Sequence, residues 1–262
     1  MTRLARPRRR PAGAFTLLEL MLVMLILSIL VTSMAMPLAT QVALRRHEET
    51  RRTLDEAREA LLGFAAANGR LPCPASASSR GEESFAPGSD ASDGNCAHFH
   101  DGYLPAAALG LSPLDPEGYV RDGWDAPANR VRYAVFGVGR ALGGVTNPFT
   151  RANGMREATL DGLASAPSLL MICRDGSAAT PTSCGPAVNQ LTRRAVFVLL
   201  SLGANAAQSP PAGSDERRNL DGDGVFVSHE PTAANGSEFD DYLTWVPFTL
   251  LAGRMIAAGR LP

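Results

Sequence analysis

Residues 20–44, LMLVMLILSILVTSMAMPLATQVAL, contain no charged side chain. About 20 apolar residues are enough to cross the hydrocarbon core of a bilayer. Such a run is read as one long helix whose surface must be covered by lipid or by protein. The charges around it give the run a direction. Five of the 25 arginines (Arg3, Arg6, Arg8, Arg9 and Arg10) lie in residues 1–14, which hold no acid. The other 20 face 26 acids, so the rest of the chain is acidic by six. The positive-inside rule keeps the arginine cluster cytoplasmic and sends the rest across. An acidic remainder weighs against a general nucleic-acid binder, which shows a basic surface. A cleaved secretory signal is one rival reading, but its apolar region is only about 7–15 residues long. Here the run is longer, and charged helix-like sequence follows it directly. A plain membrane anchor is the second rival.

One acid stands at the mouth of this segment, Glu19 in GAFTLLE (13–19). Carboxylates cost about 2.5–3.5 kcal/mol at the centre of a membrane helix, so a lone acid there calls for a partner, or else for a place at the headgroups.

The stretch GAFTLLELMLV resembles the leader of type IV prepilins and type II secretion pseudopilins: a short basic leader, a small residue, Phe-Thr-Leu-x-Glu and an apolar helix. The resemblance implies cleavage between Ala14 and Phe15, with Ala14 standing where the family usually has Gly. It implies N-methylation of Phe15, and it makes Glu19 the fifth mature residue. Pro37 falls near the family's helix-kinking proline. The partner of Glu19 would then be the new terminal amine of a neighbouring subunit. Each charge is costly alone in an apolar bundle, and pairing offsets part of that cost while fixing the stagger.

Downstream, Leu54, Ala57, Leu61 and Phe64 or Ala65 recur at helical spacing, and opposite charges four residues apart favour a solvated face. Gly69, Pro72 and Pro74 stop the helix. A helix from Phe15 to Asn68 would be about 80 Å long at 1.5 Å per residue. Residues 75–130 are rich in Gly, Pro, Ser and Asp and read as irregular. Strands are expected at 130–138, 168–173, 194–201, 224–228 and 242–246, and a short helix at 249–258. The expected fold is α+β and pilin-like: a long N-terminal helix, transmembrane in its first half, packed on a small antiparallel sheet with long irregular insertions. The expected parts are a cytoplasmic leader (1–14), a transmembrane or filament-core helix (15–40), its amphipathic continuation (41–68) and a periplasmic head (69–262).

Two stretches resemble the head of the major pseudopilin more weakly. DGWDAPANRVRYAV is similar to that family's turn into its first strand, with Asp125 where the family has Gly. LSLGANAA and FDDYLTW are similar to its Ser-Leu-Gly-Ala and its acidic loop before a Trp. This resemblance implies calcium in the acidic loop, with Asp241 matching one acid and Phe239 standing in place of another, beside Asp240. The residues themselves offer further oxygens at Asp221 and Asp223 in LDGDG, and calcium takes 6–8 oxygen ligands. The competing reading is a set of polar turns, which Asp-Gly pairs commonly form.

Cys73, Cys96, Cys173 and Cys184 would lie outside the cytoplasm, where disulfides persist. Four cysteines allow three pairings. Local pairing, Cys73–Cys96 with Cys173–Cys184, closes the shorter loops, but the sequence leaves the pairing open; metal binding is the rival to disulfides, and no Cys-x-x-Cys pair is present to support it. HFH (98–100) would put two imidazoles on one face of a strand, so a metal site is the alternative, but it is read as a surface loop, and Trp124 and Trp245 as core or turn anchors. No nucleophile elbow, P-loop or dinucleotide fingerprint is present.

These features point to a non-enzymatic minor pilin or pseudopilin in the inner membrane, with prepilin peptidase and other pilin or pseudopilin subunits as partners and the head in the periplasm or an extracellular filament. The alternatives are a pilus-tip binding module, either adhesin or DNA-uptake subunit, and a membrane-anchored periplasmic enzyme.

Overall fold

The structure, a computed structural model, describes residues 16–232 and 238–262, without the side chains of 32–39. The chain divides into two units, residues 1–45 and 46–262. Helix α1, Leu17–Asn68, begins in the first and ends in the second.

In the first unit α1 opens on Thr16, whose hydroxyl accepts the Glu19 N–H at 3.3 Å. Thr-x-x-Glu is the capping-box pattern, and this is its N-cap half. Leu17, Leu18, Met21 and Met24 are each more than 60% exposed, as apolar side chains awaiting a cover would be. Among the described residues no helix is long and apolar enough to cross a membrane.

In the second unit Leu54, Ala57, Leu61, Leu62 and Ala65 turn one face of α1 into the main apolar core. The other face is solvated, and Arg52 pairs there with Glu56 at 2.8 Å. The helix ends as its residues dictate. Gly69 takes φ 73°, the left-handed conformation that glycine adopts freely, and its N–H reaches Ala65 O at 2.8 Å.

The elements that follow are β1 (Gly102–Tyr103), β2 (Arg132–Val135), a hairpin of β3 (Ala141–Leu142) and β4 (Val145–Thr146), α2 (Gly154–Glu157), α3 (Leu160–Ala164), β5 (Leu170–Cys173), β6 (Gln190–Ser201), α4 (Asp215–Arg218), β7 (Val225–Val227), β8 (Tyr242–Pro247) and α5 (Phe248–Ala257). Strand β6 is the hub of the sheet. Its second half pairs with β2, its first half with β5, and β8 runs along it from Ala195 to Ser201. Ala195 faces both β5 and β8, and Phe197 faces both β2 and β8. Strands β2 and β5 therefore lie end to end along one edge of β6, with β8 on the other.

The antiparallel sheet expected from the sequence is corrected at one pairing. Strands β5 and β7 are parallel, Met171 opposite Val225 and Cys173 opposite Val227, so the sheet is mixed. Parallel neighbours need a long crossover, and β6 and α4 supply it here. The architecture is α+β.

The irregular segment is fastened rather than loose. Disulfides close Cys73–Cys96 and Cys173–Cys184. Arg70 grips Glu83 with two hydrogen bonds at 2.7 and 2.9 Å. In the turn before β2, the Asp122 carboxylate accepts from Trp124 N–H at 2.9 Å, Asn129 Nδ2 at 3.0 Å and Ser201 Oγ at 2.6 Å, fixing the turn to the end of β6. Asp125 has φ 49°, a left-handed conformation that Gly takes without strain and Asp tolerates. Gly123 lies so close to α1 that a Cβ would come within 2.2 Å of Arg46 O.

Candidate functional site

The cleavage pair Ala14 and Phe15, with Phe15 also the methylation residue, lies outside the described residues. Glu19 sits exposed in the first turn of α1, its N–H on Thr16 O at 3.0 Å. A carboxylate there is favoured by the unsatisfied N–H groups of the helix start. It is the only charge in α1 until Arg45, so a cation brought near the helix start by another chain finds this carboxylate and no other.

The head holds a second constellation, built by three loops. Helix α4, capped by the Ser214 hydroxyl accepting from Arg217 N–H, presents Glu216 inward, where it is buried. The chain entering β8 brings Asp240 and buried Asp241. The loop after β6 brings Gly203, Ala204 and Asn205. Oxygens of Glu216, Asp240 and Asp241 converge within 4.8 Å of one another. The Asn205 amide donates to both Glu216 oxygens at 3.0 Å, and Asp240 N–H donates to one of them, also at 3.0 Å. Asp240 Oδ2 accepts from Ala204 N–H at 2.8 Å and Asn205 N–H at 3.2 Å. Asp241 Oδ2 accepts from Asn219 Nδ2 at 2.7 Å, and Asn219 is itself tied to the β7 backbone through Val227.

Burial, with the charge of Glu216 behind it, pushes the Asp240 carboxyl up to about 6. Burial also pushes Asp241 well above the usual carboxylate range, helped by the charges of Glu216 and Asp240. The donor set fits a hard divalent cation. It is all oxygen, carries up to three negative charges, and leaves Asp240 Oδ1 shielded from solvent with no hydrogen bond among the described residues. Gly203 opens the cradle: at its φ of 65° a Cβ would come within 2.4 Å of Asp240 Oδ1 and of Asp240 O.

Of the four acids picked from the sequence, the structure therefore joins Asp240 and Asp241 and leaves Asp221 and Asp223 elsewhere. Those two pair with Arg218, at 2.9 and 3.6 Å, and close turns by accepting the N–H groups of Asp223 and Val225. Glu216 was missed. Phe239, beside Asp240, is buried and brings no oxygen to the cluster from its side chain. A readable signal was the Ser-Asp-Glu start of α4 just ahead of the Asp-Gly run.

Of the histidines, His98 lies 3.2 Å from Asp101. His229 stacks on Phe239 and reaches Asp215 at 3.1 Å. His47 bonds the Tyr242 hydroxyl and meets the Trp124 ring edge-on. HFH is not a plain surface loop, because Phe99 is buried in the main core and His100 is partly buried.

No curated protein and no solved structure matches the chain. Its N-terminus does match a family model, described as the prokaryotic N-terminal methylation motif, over residues 9–35. That span holds the basic end of the leader, Ala14, Phe15, the Thr16 cap, Glu19 and the first turns of α1. This chain thus carries at its N-terminus the type IV prepilin and pseudopilin signature.

Proposed function

We propose that this chain is a minor pilin or pseudopilin, cut by prepilin peptidase between Ala14 and Phe15, N-methylated at Phe15 and assembled with other such subunits. The match over residues 9–35 carries the reading. On it, residues 1–14 are the cytoplasmic leader, 15–40 anchor the precursor in the inner membrane and later line the filament core, 41–68 continue the helix, and 69–262 form a pilin-like head in the periplasm. The role is structural rather than enzymatic. The uncharged run at 20–44 and the exposed apolar side chains at the start of α1 support the anchor. The fastened irregular segments favour a low-copy position, since a subunit repeated along a filament must repack the same surface at every step.

Glu216, Asp240 and Asp241 would hold calcium in the head. The ion would supply the positive charge that three converging carboxylates lack, and so lock the loop after β6 to the start of β8.

The test is processing. In cells carrying prepilin peptidase, the wild-type chain should run shorter than its precursor by the 14-residue leader. Ala14→Arg should remain at precursor size, because a long cation replaces the small residue before the cut. A wild-type chain that stays full length beside active peptidase, or an Ala14→Arg chain that is trimmed equally well, contradicts the reading.

A further inference from the structure

The placing of β2 and β5 end to end on one edge of β6 leaves a break where the chain departs after Val135 and returns at Leu170. That break is a cavity of about 300 Å³, at the small end of the range for small-molecule sites. One wall is apolar, from Phe136 and the Leu169–Met171 run. The turn at Pro181 and Thr182 forms a second side, held by the Thr180–Ser183 bridge and the Cys173–Cys184 disulfide. His100 and the Gly222–Gly224 turn close the third. The cavity thus joins the His-Phe-His and Asp-Gly-Asp-Gly stretches, which neither the acidic cluster nor the N-terminal motif uses.

Its polar groups differ in what they can offer a visitor. Arg140 lines the cavity, is exposed, and pairs with no carboxylate among the described residues. Its charge reaches the His100 ring, which burial holds below the ordinary imidazole value and which bonds the Gly222 backbone. Asp223 also lines the cavity, but one oxygen accepts Val225 N–H at 2.7 Å, and the other is shielded from solvent 3.6 Å from Arg218. The accessible charge is therefore that of Arg140. Beside it Val138 is 57% exposed at φ 61°, a strained conformation for a β-branched residue, as found where a backbone is shaped around a site.

We infer that this cavity binds a small monocarboxylate with an apolar body, its carboxylate on Arg140 and its body against Phe136 and the Leu169–Met171 wall. Two sources share that chemistry: a free aliphatic acid and the C-terminal residue of a peptide. The inference does not depend on the filament assignment or on calcium.

The experiment is calorimetric titration of the full-length protein in detergent micelles with N-acetyl-leucine, 4-methylpentanoate and N-acetyl-leucinamide, each against a micelle blank. The amide has the same body without the charge. Binding of either acid at least about tenfold tighter than the amide is the expected result, since a charge-assisted contact is lost with the carboxylate. Preference for N-acetyl-leucine points to a peptide end, and preference for 4-methylpentanoate to a free acid. Arg140→Gln, at an exposed position, should erase the difference between acid and amide. Thr182→Trp, at an exposed position lining the cavity, should abolish binding of all three. Equal binding of acid and amide, acid binding undiminished in Arg140→Gln, or no heat from either acid at about 10 mM would overturn the inference.

Discussion

Glu19→Ala is expected to leave the head folded and to remove the subunit from its filament. Glu19 is exposed in the first turn of α1 and belongs to the unit of residues 1–45, so its loss removes nothing from the core built by residues 46–262. In a bundle of such helices the variant would bury the terminal amine of a neighbour without its carboxylate. Breaking one side of a buried ion pair costs about 3–5 kcal/mol, which is about two to nearly four orders of magnitude in an association constant. Glu19→Gln can still accept a hydrogen bond and should recover part of the loss. The measurement is the amount of each variant in sheared or cross-linked filaments relative to its amount in the membrane. Wild-type incorporation of Glu19→Ala would show that the carboxylate merely rests at the headgroups.

Chelating calcium is expected to lower the melting temperature of the purified protein and to change how its stability depends on pH. At a calcium concentration of 100 times Kd a single site stabilises the folded state by about 2.7 kcal/mol. For a domain of this size that is on the order of 5–10 °C. Glu216→Gln and Asp241→Asn should each melt at the same temperature with and without chelator. The pH sign follows from the raised carboxyls. Asp240, pushed up from 3.8 to about 6 by burial and by Glu216, favours the folded state while protonated, and that contribution fades as pH rises through about 6. Asp223, also raised to about 6 by burial, acts in the same direction. The chelated protein should therefore lose stability between about pH 4 and pH 6, and calcium should offset the share from Asp240 and Asp241. A melting temperature indifferent to calcium at pH 7 would leave the acidic cluster as a set of polar turns.

What could be read ahead from the sequence was whatever repeats or stops. The α1 face of Leu54, Ala57 and Leu61 follows from its spacing, and the stop at Gly69 from the need for a left-handed residue. Strands β5, β6, β7 and β8 announced themselves as short apolar runs between turn residues, and α5 as the apolar run after them. Strand β1 and the β3–β4 hairpin have strands of two residues each, too short for any period to register. Helices α2 and α3 are four and five residues long, again too short for a period to register, and each starts after a residue at positive φ, Asn153 at 58° and Thr159 at 59°. The parallel seating of β7 depends on where a crossover of about fifty residues returns, which no local pattern encodes. The same holds for the metal-type cluster. Asp240 and Asp241 stand together in the sequence, but Glu216 is brought to them by folding, while Asp221 and Asp223, closer in pattern, are drawn off by Arg218. The Thr16–Glu19 cap was legible in principle, because its Thr-x-x-Glu pattern lies inside the same motif that marks the cleavage site.

The central claim is that peptidase processing creates a new N-terminus at Phe15. The most direct measurement is the mass of the N-terminal peptide of the protein isolated from membranes or filaments. The account predicts a peptide that begins at Phe15 and is one methyl group heavier than its sequence. A peptide that still carries the arginine-rich residues 1–14, or one that begins beyond the apolar run, would contradict it.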